Sequence, residues 1–113
     1  MYQEKRPWGK FTVLADNDQF KVKTITVNPG ERLSLQSHKK RSEHWIVVVG
    51  SLLVTLNNDI REYRENEHIY IPKTVKHRME NRGNKTAVVV EIQTGDYFGE
   101  DDIMRYEDDY NRN

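Results

Sequence analysis

Four residues able to bind a metal or move a proton, Gln36, His38, Glu43 and His44, fall within nine consecutive positions, and they abut a run of strand-forming residues, Trp45–Val49. Side chains on a strand alternate faces, so Gln36 and His38, two apart, point to one side and can converge on one point, together with Ser34. By the same alternation Leu33 and Leu35 point the other way. Glu43 follows the loop Lys39–Ser42 and shares parity with Trp45, Val47 and Val49, which places it at the end of an apolar inner row. His44 is on the opposite face. A further imidazole, His77, starts a strand after the turn at Pro72, with Met79 and Asn81 on its side. If these three strands neighbour one another, Gln36, His38, Glu43 and His77 form one ligand set of two imidazoles, a carboxylate and an amide oxygen. That mixture suits one borderline divalent ion (Zn, Mn, Co, Ni or Fe) and leaves positions open for substrate.

A second cluster lies in Ala87–Gln93, where Glu91 and Gln93 share a face with Val89 in an otherwise apolar strand. Two polar side chains on that face read as groups turned into a polar cavity. A partly desolvated Glu has a raised pKa and exchanges protons near neutrality.

The elements that must position these residues are short strands cut by turns. Phe11–Leu14 ends at Ala-Asp-Asn-Asp, Phe20–Val27 alternates, and Asn28-Pro29-Gly30 combines a fixed φ with a position that permits positive φ. Arg32–Ser37, Trp45–Val49, Leu52–Leu56, Ile60–Tyr63, His68–Ile71, His77–Asn81 and Thr86–Gln93 complete nine expected strands. No helical period is sustained before residue 99, and GEDDIMRYEDDYNRN reads as a short helix or an irregular arm. Spacing of this kind predicts an all-β sandwich or barrel. At 113 residues the chain is expected to be one domain, 1–113. Its 35% hydrophobic and 32% charged content suits thin sheets better than a thick helical core.

Lys+Arg and Asp+Glu both number 18, so no global basic field recruits nucleic acid. There is no cysteine, which excludes disulfides and thiolate metal sites. The amino terminus has no apolar signal region and no run is long enough to span a membrane, so the expectation is a soluble cytoplasmic protein without nucleic-acid or membrane partners.

Gly30-x5-Gln36-x-His38-x4-Glu43-x6-Gly50 resembles the first motif of the cupin superfamily, with Gln36 where a His is usual. Asn66-x5-Pro72-x-Thr74-x2-His77-x3-Asn81 resembles the second. RPWGKFTVL, FKVKTITVNPGERLSLQSHKKRSEHWIVVVG, YIPKTVKHRMEN and EIQTGDYFGEDDIMRYEDDY extend the likeness over nearly the whole chain, to the cupin domain of type II phosphomannose isomerases. In many bacteria that domain follows a mannose-1-phosphate guanylyltransferase domain, which this sequence does not contain.

The resemblance implies a jelly roll (double-stranded β-helix) with a metal held by Gln36, His38, Glu43 and His77. The implied reaction interconverts mannose 6-phosphate and fructose 6-phosphate through an enediol. Glu91 is then the expected base. Arg112, matching the family's closing Arg, is the residue expected to close over the sugar phosphate, and Arg41, Gln93 and Arg105 are expected to bind substrate. The alternative is a non-catalytic sugar-binding or accessory cupin of sugar-nucleotide metabolism. Three positions depart from the family pattern. Asn66 and Asn111 stand where Gly is usual and tolerate the same backbone. Thr74, β-branched, is expected to resist positive φ and rearrange its turn. A homodimer is expected, with RPWGKFTVL a candidate for the contact.

Overall fold

The computed structural model describes residues 1–110, and every regular element among them is a strand. The strands are β1 (Tyr2–Arg6), β2 (Gly9–Asp16), β3 (Phe20–Val27), β4 (Leu35–Ser37), β5 (Arg41–Val49), β6 (Ser51–Leu56), β7 (Asp59–Arg64), β8 (His68–Ile71), β9 (His77–Glu80), β10 (Ala87–Gly95) and β11 (Met104–Glu107). They form a six-stranded sheet in the order β1-β2-β3-β10-β5-β8 and a five-stranded sheet in the order β11-β4-β9-β6-β7, with every pairing antiparallel. This is the expected jelly roll. Consecutive strands alternate between the sheets (β3 to β4, β4 to β5, β5 to β6, β7 to β8), so the two inner faces enclose one core.

Alternation decides what that core contains. β5 buries Trp45 and Val47, β6 buries Leu52 and Val54, and β8 buries Ile69 and Ile71, while the residues between them are more exposed. Met79, Val89, Val27 and Phe11 meet them from β9, β10, β3 and β2. Each large side chain removed from water in this way stabilises the fold by about 1.5–3 kcal/mol. The apolar cluster fills one end of the barrel, and polar residues take over the inner faces at the other.

All nine expected strands are present, and the structure adds two. β1 pairs the amino terminus to β2. The carboxy-terminal arm, expected to be helical or irregular, is irregular to Ile103 and then becomes β11, which pairs with β4. Helix formation there would forgo the ladder that satisfies the exposed edge of β4. β4 is also shorter than expected. Arg32 makes only an isolated bridge to Glu80, and the chain between them and Leu35 leaves the regular ladder. Leu33 therefore packs on the core and lines the same cavity as Ser34 and Gln36, against simple alternation.

Thr74 corrects another expectation. Its φ is +71°, so the turn keeps the left-handed residue that Gly would supply, and the Thr74 N–H donates to His38 O at 2.7 Å. Asn66 takes φ +72°, as expected of Asn.

Candidate active site

Three strands from both sheets bring the expected ligands together. β4 and β9 are paired with Gln36 opposite His77, and β5 brings Glu43 across from the other sheet. His38, Glu43 and His77 are all buried, and each offers a ligand atom within 4.8 Å of the others. His38 Nε2 is 3.3 Å from Glu43 Oε2, and His77 Nε2 is 4.0 Å from Glu43 Oε1.

Backbone carbonyls fix which nitrogen of each ring is free. His38 Nδ1 is 2.7 Å from Asp102 O and His77 Nδ1 is 2.9 Å from Val75 O. A carbonyl can only accept, so both Nδ1 atoms carry hydrogen and both Nε2 atoms present lone pairs to Glu43. Burial lowers both imidazoles to about 4, and for His38 the neighbouring Arg41 and His77 charges add to it. Neutral, tautomer-fixed rings beside an ionised carboxylate are the donor set that a divalent cation needs. Gln36 lines the same cavity; its Nε2 donates to Ser34 Oγ at 3.0 Å and to Ser34 O at 3.3 Å, which commits the amide nitrogen and leaves Oε1 as the ligand atom.

Beside this set is a pair of carboxylates. In the register of β10 on β5, Glu91 faces Trp45 and Gln93 faces Glu43. The Trp45 indole N–H reaches both acids, at 2.9 Å from Glu43 Oε1 and 3.2 Å from Glu91 Oε1. Gln93 Nε2 donates to Glu91 Oε2 at 3.2 Å. Burial pushes Glu91 up to about 7, and the Glu43 charge pushes the same way. Glu43 is held below the usual carboxylate range, since its hydrogen bond with Glu91 and the Arg41 charge outweigh its own burial. Of the two acids Glu91 is therefore the one that takes up a proton near neutrality, while Glu43 stays ionised.

The cations are distributed differently from expectation. Arg41 is not a loop residue open to solvent. It is 6% exposed, and its Nε donates to Glu43 Oε2 at 2.9 Å, its NH2 to His38 Nε2 at 3.3 Å and its NH1 to Gly99 O at 3.3 Å. Arg105, on β11 opposite Gln36, lines the cavity. Gln93 is fully buried and set behind Glu91, not on the cavity wall. Arg112 lies outside the described residues.

Lys23 is not among the expected site residues. It is buried opposite Glu91, lines the cavity, and binds Glu100 of the arm at 2.8 Å. Sequence reasoning also missed the hold of the arm on the site. Asp102 accepts the His38 ring through its carbonyl, while its carboxylate accepts the Lys39 and Lys40 N–H groups at 3.0 and 2.9 Å. Lys23 shares parity with Ile25 and Val27, but the opposite face of the strand is no more polar, so parity did not settle where it points. No local pattern announces a main-chain carbonyl from a distant arm. His44, assigned to the outer face, is exposed there and stacks on Tyr70 at 4.8 Å.

Two antiparallel sheets in jelly-roll order, with two histidines and a glutamate gathered from both at one end, define a cupin. A model of the mannose-6-phosphate isomerase carboxy-terminal family matches residues 2–108, and the chain belongs to that family. It is 45% identical over 108 residues to a mannose-1-phosphate guanylyltransferase of Salmonella montevideo, covering 96% of this chain and 23% of that protein. It is 48% identical over 107 residues to the xanthan biosynthesis protein XanB of Xanthomonas campestris, covering 95% and 23%. The chain thus spans about a quarter of the length of these relatives. The fold is shared with the capsular polysaccharide assembling protein CapF of Staphylococcus aureus, at a TM-score of 0.80 and 22% identity over 94% of this chain and 34% of that one.

Proposed function

We propose that this cupin is a metal-dependent aldose–ketose isomerase acting on a sugar phosphate, and that it interconverts mannose 6-phosphate and fructose 6-phosphate. The observation that carries the reading is Glu91. It is buried, is pushed up to about 7, and is bridged by the Trp45 indole N–H to Glu43 of the His–Glu–His donor set.

Such a reaction removes a proton from C2 of the aldose and returns one to C1, through an enediol. It needs a base with a pKa near the working pH, which can accept a proton, exchange it with solvent and give one back. Glu91 meets that requirement. Trp45 and Gln93 donate separately to its two oxygens, so the orientation of the carboxylate is fixed. Gln36, His38, Glu43 and His77 are the residues that would hold the divalent ion. When bound, that ion supplies Lewis-acid polarisation of the sugar carbonyl and charge stabilisation of the enediolate oxygens. Trp8, Phe11, Ile25 and Met79 line the apolar side of the cavity and exclude water from the proton transfer.

The charge of the cavity favours an anion. Arg6, Lys23, Arg41 and Arg105 line it against three acids, Glu43, Glu91 and Glu100, and Glu91, pushed up to about 7, carries only part of its charge at neutrality. Adding a divalent cation raises the surplus further, and a phosphate dianion compensates it. Arg105 and Lys23 are the candidate phosphate contacts on the two sides. Arg41 serves first as the counter-charge of Glu43. The reading is tested by metal-stripping the protein, restoring Zn, Mn, Co, Ni or Fe(II) in turn, and following fructose 6-phosphate from mannose 6-phosphate. Turnover that needs metal and is lost in Glu91→Gln supports it. One metal bound per chain without turnover would leave the non-catalytic sugar-binding cupin in its place.

A further inference from the structure

Lys23 is a buried cation whose counter-charge can leave. Its side chain is 4% exposed, and its Nζ donates to Glu100 Oε2 at 2.8 Å and lies 4.4 Å over the Phe11 ring. Glu100 is its one hydrogen-bond acceptor among the described residues. A buried ammonium needs such a partner, because an uncompensated charge in the interior is strongly unfavourable. Glu100, however, is 49% exposed, so its carboxylate stands at the boundary between the cavity and solvent. Arg41 is the opposite case, since its partner Glu43 is 2% exposed and has no path to water. The loop that carries Glu100 is fastened without it. The Phe98 carbonyl accepts from Lys21 Nζ at 3.4 Å, the Gly99 carbonyl accepts from Arg41 NH1 at 3.3 Å, and Asp102 holds His38, Lys39 and Lys40. The Tyr97 hydroxyl donates to Asp101 Oδ1 at 2.5 Å and closes the turn over Gly99. The Glu100 side chain can therefore turn out to solvent while the loop keeps its place.

We infer that Lys23 receives the substrate's phosphate in exchange for Glu100, whose carboxylate holds that anion subsite until a phosphate displaces it. The inference rests on the sugar-phosphate reading of the cavity and not on turnover. A cation takes up a ligand's phosphate only where its own partner can be released, and Lys23–Glu100 meets that condition while Arg41–Glu43 does not. A phosphate dianion brings a second charge and more acceptor oxygens than a carboxylate, and the displaced Glu100 regains water, so the exchange favours the ligand. The place suits a substrate whose reacting carbons lie at Glu91, because Lys23 faces Glu91 across the β3–β10 pair, and Trp8 and Phe11 line the same cavity. When the phosphate departs, Glu100 returns and keeps the buried ammonium paired. The exchange also costs affinity. An internal competitor that covers Lys23 in about nine molecules of ten weakens apparent binding about tenfold.

Calorimetric titration with inorganic phosphate and with mannose 6-phosphate tests the inference, with circular dichroism and melting temperature as controls of folding. Glu100→Gln is expected to tighten both ligands about tenfold, because Lys23 then lacks its competing carboxylate. In the Lys23→Met background the same substitution is expected to bring no gain, which ties the effect to the pair. Glu100→Asp keeps the charge but is one methylene short of Lys23. It is expected to tighten binding in the same direction, and it carries the test if Glu100→Gln does not fold. Mannose 6-phosphate bound with unchanged or weaker affinity by the folded Glu100 variants would overturn the inference and leave the isomerase reading standing, and so would a gain that persists with Lys23→Met. Tighter phosphate binding in a chain that never turns over would support the inference while the isomerase reading failed. Neither ligand binding to any variant would overturn the inference together with the sugar-phosphate reading.

Discussion

At the scale of single residues the site depends on one tryptophan and two acids. Trp45 donates to both Glu43 and Glu91, so the indole bridges the candidate ligand and the candidate base. Glu91→Gln keeps the hydrogen-bonding shape and removes the titrating group. It is expected to lower the isomerisation rate by at least about 10²-fold, the usual scale of a lost general base, while metal content is unchanged. Steady-state kinetics with metal analysis checks both. Arg41 holds Glu43 and His38 through the atoms that a metal would use. Arg41→Met is therefore expected to tighten divalent-metal binding, by about tenfold in calorimetric titration, and weaker binding would show that the guanidinium supports the ligands and does not compete for them. The inward direction of Glu91 was legible from its parity with Val89. The donor role of Trp45 was not, because in sequence it reads only as the largest member of an apolar row. A buried indole N–H nevertheless requires an acceptor, and that requirement was the one available hint.

At the scale of elements, turns hold the ligands in place. Gly95 ends β10 with φ +147°, and an added Cβ would stand 2.3 Å from Lys40 O and 2.9 Å from Arg41 Cα. Those atoms are backbone and cannot swing aside. Gly95→Ala is expected to destabilise by more than about 2 kcal/mol in urea unfolding and to disturb the start of β5, where Arg41 and Glu43 sit. Thr74 behaves oppositely. A β-branched residue at φ +71° is strained, so Thr74→Gly is expected to stabilise by up to about 1 kcal/mol, provided the Thr74 N–H bond to His38 O persists. The strands themselves were readable, since alternation and turn residues are local signals. β11 was not, because its pairing with β4 depends on a distant edge and the acidic arm carries no alternation to announce it. Phe20–Val27 was readable as a strand but not as to its inner face. Lys21 and Lys23 share parity with Ile25 and Val27, and the opposite face, Phe20, Val22, Thr24 and Thr26, is no more polar.

At the scale of the whole molecule the buried titrating groups make stability depend on pH. His38 and His77 fall from 6.5 when unfolded to about 4 when folded, so between those values the unfolded chain binds two more protons. Glu91 rises from 4.5 to about 7, so between those values the folded chain binds one more. From pH 4.5 to 6.5 the unfolded chain carries a net excess of one proton. Stability of the metal-free protein is then expected to rise with pH, by about 2 kcal/mol across the window, which urea midpoints at pH 5 and 6.5 would show. A flat or falling profile would contradict the neutral, buried assignment of the two rings. The jelly-roll class was legible because turn spacing and both cupin-like motifs point to it.

The central claim is that the His38–Glu43–His77 cluster and Glu91 form one working isomerase site. The most direct measurement is solvent-proton exchange into the C2 position of mannose 6-phosphate, followed by NMR in heavy water with the metal-restored protein. The account predicts deuterium incorporation together with fructose 6-phosphate formation, both needing metal and both lost in Glu91→Gln. Isomerisation and exchange that persist in Glu91→Gln would contradict it.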